Sequence, residues 1–232
     1  MSAPLRDPLL EAAGVRHGFG VRGVAAPHGL ARPRQVHGAA VWEVRGAADA
    51  AGLEADAVVC RIAGVAVGVV TADCVPVLLA WRGGRAVAAV HAGWRGLAAG
   101  VVHAGVEALC RGAPEAAAAA IGPYVGPCCY EVDEPVLRAI EARFGQELPS
   151  GAVRPGRPGH AWLDLGALVA ADLRIAGLQA GAVSRATAAC TSCDSERFHS
   201  FRRDGPRSGR LVHHVIAGPE GSDPPWKGSS RP

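Results

Sequence analysis

The chain has 232 residues, of which 49% are hydrophobic and 19% charged, so it can build a sizeable core and bulk disorder is excluded. A net charge of +3 is too small a bias to point to nucleic acid or an anionic membrane surface as partner. Aromatic residues make up 5%, with 31 glycines and 17 prolines, so the apolar content is mostly alanine and valine and the turns are many.

The first ten residues carry acid and proline and lack the apolar stretch of a signal peptide. The segment up to Arg34 is rich in Gly, Pro and Arg and reads as strand fragments and loops. Short valine-rich runs follow at 40–44, 57–60, 65–70, 75–81 and 86–90. Most are continuous rather than alternating, as strands buried on both faces are. Gly83-Gly84 marks a hairpin turn. The longest apolar run, 65–81, is broken by Thr71, Asp73 and Pro76 and falls short of a membrane span of roughly 20 residues.

A helix is predicted over 97–110, with Leu97, Val101, Ala104 and Ala108 on one side. The alanines at 116–120 precede Ile121-Gly122-Pro123 and are read as a buried strand. Helices are predicted over 134–144, with proline in the first turn, and over 164–176, with Asp164 as N-cap. The tail, 218–232, has the composition of a disordered segment. No internal linker stands out, so residues 1–217 form one α+β domain in this reading.

Gly18-Phe19-Gly20-Val21-Arg22-Gly23 is formally a dinucleotide fingerprint, but Val15-Arg16-His17 is a poor strand and Pro27 and Pro33 spoil a following helix. The seven cysteines, an odd number in a chain too large to need a disulfide staple, fit reduced thiols and a cytoplasmic protein. Cys190 and Cys193 form a C-x-x-C with no second pair to complete a structural zinc site. Cys128 and Cys129 are adjacent, a spacing that seldom serves one tetrahedral ion. Cys60 and Cys110 lie on apolar faces and read as core.

Cys74 is different. Thr71, Asp73 and Cys74 interrupt an apolar stretch, and burying polar groups without partners is costly, so a site is expected where two buried strands meet. The next strand runs into His91, then Ala92-Gly93-Trp94-Arg95-Gly96, a glycine-rich turn into a helix whose N-terminus would favour anions. A third candidate is His37, although spacing alone does not choose it over His17 or His103. Two imidazoles and a thiolate are a catalytic zinc set, with three protein ligands and one open position.

Gln35-Val36-His37, Thr71-Ala72-Asp73-Cys74-Val75-Pro76-Val77 and His91-Ala92-Gly93-Trp94-Arg95-Gly96 together resemble the signature of the YfiH/laccase-domain family. Ile121-Gly122-Pro123, Cys129-Tyr130-Glu131-Val132, Asp164-Leu165, Cys190-Thr191 and the stretch from Phe198 to Gly205 extend the likeness over most of residues 15–217. The resemblance implies a single domain of α/β/β/α sandwich type with mixed sheets. It implies one zinc on His37, Cys74 and His91. It also implies phosphorolysis of adenosine, inosine, guanosine and 5′-methylthioadenosine, with adenosine deamination beside it. Members of the family were formerly described as polyphenol oxidases.

Arg22, Arg34 and Arg95 are the candidates for phosphate, Asp73 for a base or a partner behind the metal ligands, and Arg202 and Arg203 for the rim of the site. The expected partners are purine nucleosides and phosphate, with neither nucleic acid nor membrane, on a monomer or weak dimer. One departure from the family pattern is a shortened stretch between Val24 and Gln35. Three alternatives stay open at this point. A copper phenol oxidase would use the same His2Cys set, but no methionine beyond Met1 is available as an axial ligand. A cysteine hydrolase would use Cys74 with His91. A third form would bind metal without turnover.

Overall fold

The computed structural model describes residues 3–46 and 53–218. The elements in chain order are α1 (Pro8–Ala12), β1 (His17–Gly18), β2 (Val41–Val44), β3 (Ala57–Cys60), β4 (Ala66–Thr71), β5 (Val75–Trp81), β6 (Ala86–Ala92), α2 (Trp94–Ala98) and α3 (Val101–Cys110). They continue with β7 (Ala117–Ile121), β8 (Glu131–Asp133), α4 (Glu134–Phe144), β9 (Val153–Pro155), β10 (His160–Leu163), α5 (Leu165–Ile175), β11 (Val183–Ser184), α6 (Phe201–Asp204) and β12 (Leu211–Ile216). The disordered tail expected at 218–232 lies outside the described residues except for Gly218.

A mixed six-stranded sheet, ordered β11-β7-β5-β6-β3-β2, forms the centre. Its two innermost strands, β5 and β6, are an antiparallel hairpin from Val75↔Ala92 to Trp81↔Ala86, closed by the Arg82–Gly84 turn. Successive side chains on a strand point to opposite faces. Val75, Val77 and Leu79 of β5 accordingly pack toward α3, α4 and α5, while Leu78 and Ala80 pack toward a three-stranded sheet, β1-β12-β4. Both faces are buried, which is why these strands read as unbroken apolar runs. A smaller sheet, β8-β10-β9, completes a single mixed α/β domain.

β4 belongs to the small sheet and β5 to the central one. The turn Ala72-Asp73-Cys74 between them therefore carries the chain from one layer to the other. The site forms where the two layers part.

The helix expected over 97–110 is two helices. Gly100, in the left-handed region at φ 86°, ends α2 after five residues and starts α3. A run of helix-compatible apolar residues hid this break, because glycine inside a helical pattern is tolerated by propensity yet costs about 1 kcal/mol. The stretch after Phe198 forms the single turn α6, with Ser200 Oγ accepting from the Arg203 amide as its cap. The formal dinucleotide fingerprint opens no helix. β1 covers only His17 and Gly18, and a Cβ on Gly20 would stand 2.5 Å from the Val212 carbonyl oxygen. Gly18 and Gly20 serve close packing against the neighbouring chain, while Gly23 lies in open space at a positive φ of 74°.

Candidate functional site

Asp56 is the anchor of the site, and the sequence reading passed over it. It sits just before β3, fully buried. Its carboxylate accepts from three successive amides, Val36 (3.1 Å), His37 (2.9 Å) and Gly38 (2.8 Å). This concave ring of N–H groups is an anion cradle, and it holds His37 at a positive φ of 62° that an isolated histidine seldom adopts. Gln35 fixes the same loop from the other side, exchanging two 2.8 Å hydrogen bonds with the main chain of Val70 in β4. The available signal was a lone acid at the head of a wholly apolar strand, which must find partners when buried.

Asp56 Oδ1 also accepts from His91 Nδ1 at 2.7 Å. That bond sets the tautomer of His91 and leaves Nε2 facing the site. His91 lies on β6, buried, opposite Pro76 of β5. Cys74 Sγ lies 3.9 Å from His37 Nε2, and the two imidazole rings are 4.8 Å apart at an angle of 77°. One donor atom from each of His37, Cys74 and His91 falls within 4.8 Å of the others. The three expected ligands are thus brought together, and His17 is not among them: its ring is buried against Asp7 and Val15.

The charges agree with a metal centre. Burial would raise the Cys74 thiol, but hydrogen bonds from His37 and His91 outweigh it and draw the pKa down to about 7. Burial would lower His91, but Asp56 and Cys74 outweigh it and lift the pKa to about 9. Burial likewise opposes the charge on Asp56, and its bonds from His91 and the Gly38 and Val36 amides hold it below the usual carboxylate value. Two imidazoles and a thiolate, one imidazole backed by a buried carboxylate, form a donor set of the kind that holds a divalent ion in three-coordinate protein ligation. A Cβ on Gly93 would stand 2.9 Å from Cys74 Sγ and 3.0 Å from His37 Cδ2. The glycine keeps that space clear.

The trio forms one wall of a cavity of about 710 Å3, within the ordinary range for small-molecule sites. Arg32, Arg34, Arg95, Arg202 and Arg210 line it, together with Trp94, Tyr130 and Phe201. Arg95 lies over the Trp94 ring at 4.3 Å and Arg202 over the Tyr130 ring at 5.0 Å. Arg34 pairs with Glu54 at the rim. Arg22 is elsewhere. It opens on a separate pocket with His199 and Arg207, and its guanidinium donates to the Phe198 carbonyl and pairs with Asp204. The structure does not bring it to the trio. α2, the helix that carries Arg95, has only five residues.

Asp73, between β4 and Cys74, is strained at φ 93° and nearly buried. Its Oδ1 accepts from Thr191 Oγ1 at 2.6 Å and its Oδ2 from the Arg202 amide at 2.5 Å. Arg203 in turn donates to the carbonyls of Thr191 and Ser192. Arg202 lines the cavity, Arg203 opens on the separate pocket while holding the main chain of Thr191 and Ser192, and Asp73 ties Arg202 and Thr191 to Cys74. The cysteines expected to be unrelated to one another are not: Cys128, Cys129, Cys190 and Cys193 place their sulfurs within 4.8 Å of one another. Cys60 and Cys110 are buried core residues, their thiols pushed up in pKa by burial.

Residues 18–217 match the family model described as multi-copper polyphenol oxidoreductase laccase. A purine nucleoside phosphorylase of Xylella fastidiosa (strain Temecula1) is 42% identical over 192 residues, covering 81% of this chain and 71% of the relative. A protein named adenosine deaminase, from an unknown prokaryotic organism, is 39% identical over 158 residues, covering 67% and 59%. Among solved structures, YfiH of Bacillus licheniformis superposes with a TM-score of 0.78 at 25% identity, covering 89% of this chain and 94% of that one. A Neisseria meningitidis protein superposes at 0.73 with 35% identity, covering 82% and 75%. With its three-residue donor set at the seam between two sheets and this agreement along nearly the whole fold, the chain belongs to the YfiH-type, laccase-domain family.

Proposed function

We propose that this chain is a zinc-dependent purine nucleoside phosphorylase that also deaminates adenosine, acting on adenosine, inosine, guanosine or 5′-methylthioadenosine in the cytoplasm, as a monomer or weak dimer. The observation that carries the reading is the placement of His37, Cys74 and His91 on the wall of a cavity that offers both arginines and aromatic faces. Similarity to relatives named purine nucleoside phosphorylase and adenosine deaminase supports it.

His37, Cys74 and His91 would hold a zinc ion, which would supply Lewis acidity at the cavity wall. Asp56 keeps His91 Nδ1 protonated and so presents Nε2 as a ligand. Arg95 and Arg202 are the cations that bind phosphate, each charge-assisted hydrogen bond contributing about 1.5–3 kcal/mol. Arg34 contributes less, because Glu54 already neutralises it. Trp94, Tyr130 and Phe201 offer flat faces to a purine. Asp73, with an oxygen committed to each of Thr191 and Arg202, acts as a positioning residue that keeps Arg202 at the cavity.

Adenosine incubated with and without phosphate tests this reading. Adenine that forms only with phosphate supports phosphorolysis, and inosine formed in both mixtures supports deamination. Oxidation of a phenol by copper-loaded protein, with neither purine product, would overturn it in favour of the oxidase.

A further inference from the structure

The four remaining surface-facing sulfurs are too well placed to be incidental. Cys128 and Cys129 come from the loop between β7 and β8, and Cys190 and Cys193 from the turn after β11. Sγ of Cys193 lies 3.5 Å from that of Cys128 and 3.4 Å from that of Cys129. Disulfide sulfurs stand about 2.05 Å apart, so these are separate thiols. Ligands about 2.3 Å from a tetrahedral zinc ion bring thiolate sulfurs to nearly 4 Å from one another. The four sulfurs, all within 4.8 Å, are already close to that spacing.

The surrounding main chain is shaped to the cluster. The Gly126 amide donates to Cys190 Sγ at 3.2 Å, the kind of N–H···S bond that supports a metal-bound thiolate. A Cβ on Gly126 would stand 3.4 Å from the sulfurs of both Cys128 and Cys190, which leaves little slack there. The two segments are held in register apart from the sulfurs: Tyr124 and Cys190 form a parallel bridge, and the Thr191 amide donates to the Tyr124 carbonyl at 2.9 Å. Arg203 donates to the Thr191 and Ser192 carbonyls, and Arg154 to the Pro127 carbonyl at 2.8 Å. Each segment thus carries a guanidinium, which suits a centre whose four thiolates outweigh the charge of a divalent ion.

We propose that Cys128, Cys129, Cys190 and Cys193 form a second metal site, a tetrathiolate centre for one Zn2+ that is separate from the His37–Cys74–His91 site. Binding releases to solvent the proton of each thiol that still carries one, with no change of oxidation state. All four positions are filled by protein, so the centre is structural. It clips together two segments distant in sequence, where a cross-link gains most. The clip reaches the functional site, because Thr191, inside the second Cys pair, holds Asp73 beside Cys74.

The test is cobalt substitution and metal counting on the full chain. Wild-type protein purified with reductant should carry two zinc ions. Its cobalt form should show the strong thiolate-to-cobalt charge transfer of a four-sulfur centre added to the weaker band of a one-sulfur site. Cys128→Ser/Cys193→Ser should lose one ion and the strong band, whereas His37→Ala/His91→Ala should lose the other ion and keep the strong band. One zinc per chain that vanishes in His37→Ala/His91→Ala, with only a one-sulfur spectrum in wild type, would overturn the proposal. So would a mass showing these cysteines paired in disulfides in reductant-purified protein. The wild-type cobalt spectrum decides the matter even if the serine variant fails to fold, and neither result depends on nucleoside turnover.

Discussion

Asp56 Oδ1 and His91 Nδ1 are 2.7 Å apart, both groups buried, and the same carboxylate holds the main chain that carries His37. One side chain thereby orients two of the three residues proposed to hold the metal. Asp56→Asn preserves the shape but removes the charge behind His91. Loss of such a partner costs metal affinity about 10- to 100-fold, and competition with a chromophoric chelator measures it. Asp56→Ala should do more, leaving the Val36, His37 and Gly38 amides without their acceptor. Each of these hydrogen bonds to a charged acceptor contributes about 1.5–3 kcal/mol, so this variant should melt below His91→Ala.

Gly93→Ala separates metal binding from folding. The backbone at Gly93, φ −77° and ψ 167°, suits any residue. The added methyl would press on Cys74 Sγ and His37. Zinc affinity should fall at least about tenfold, equivalent to about 1.4 kcal/mol, while the melting temperature of the metal-free protein changes little. A large fall in metal-free stability with normal zinc affinity would contradict this account of the glycine.

Arg95 stacks on Trp94 at the cavity, with no carboxylate partner in evidence among the described residues. Arg95→Ala should raise the KM for phosphate roughly 10- to 100-fold, in line with one lost charge-assisted bond. Phosphate-independent deamination should be largely retained. Equal loss of both reactions together with a lower melting temperature would assign Arg95 to the turn and reject its phosphate role.

His213 predicts an acid limit to stability. Its ring is fully buried on β12, with the Gly20 amide donating to Nδ1 at 3.2 Å and Thr71 Oγ1 at 2.8 Å from Nε2. A second proton would set N–H against N–H at Nδ1. Burial, with help from His214 and His91, lowers its pKa from 6.5 to about 3. Below pH 6.5 the unfolded chain takes a proton that the folded chain refuses. The stability contributed by this group is therefore whole above 6.5 and is lost as pH falls toward 3, by about 1.4 kcal/mol per pH unit. Denaturant unfolding of wild type and His213→Gln across that window should show the smaller slope in the variant. Equal slopes would mean that His213 takes its proton in the folded state.

The central strands were legible because they are buried on both faces: Ala57–Cys60 and Val75–Trp81 have the bounds read from composition alone. α4 was equally plain from its proline, and α5 from its Asp164 cap. The break at Gly100 was not, since backbone conformation at a glycine is set by packing. The polar interruption at Thr71, Asp73 and Cys74 pointed to the site, but the partner of His91 did not show, because Asp56 and His91 become neighbours only when β3 pairs with β6. The cysteine cluster was hidden for the same reason. Its four members lie in two loops that meet through the Tyr124–Cys190 bridge.

The most direct test of the catalytic centre is phosphate-dependent adenine release from adenosine by metal-stripped protein as zinc is restored. The account predicts no release from the stripped protein and recovery as zinc is added. It further predicts that His37→Ala and His91→Ala stay inactive at any zinc level that wild type needs. Full activity in the stripped protein, or in those variants, would contradict the assignment of His37, Cys74 and His91 as the centre of the reaction.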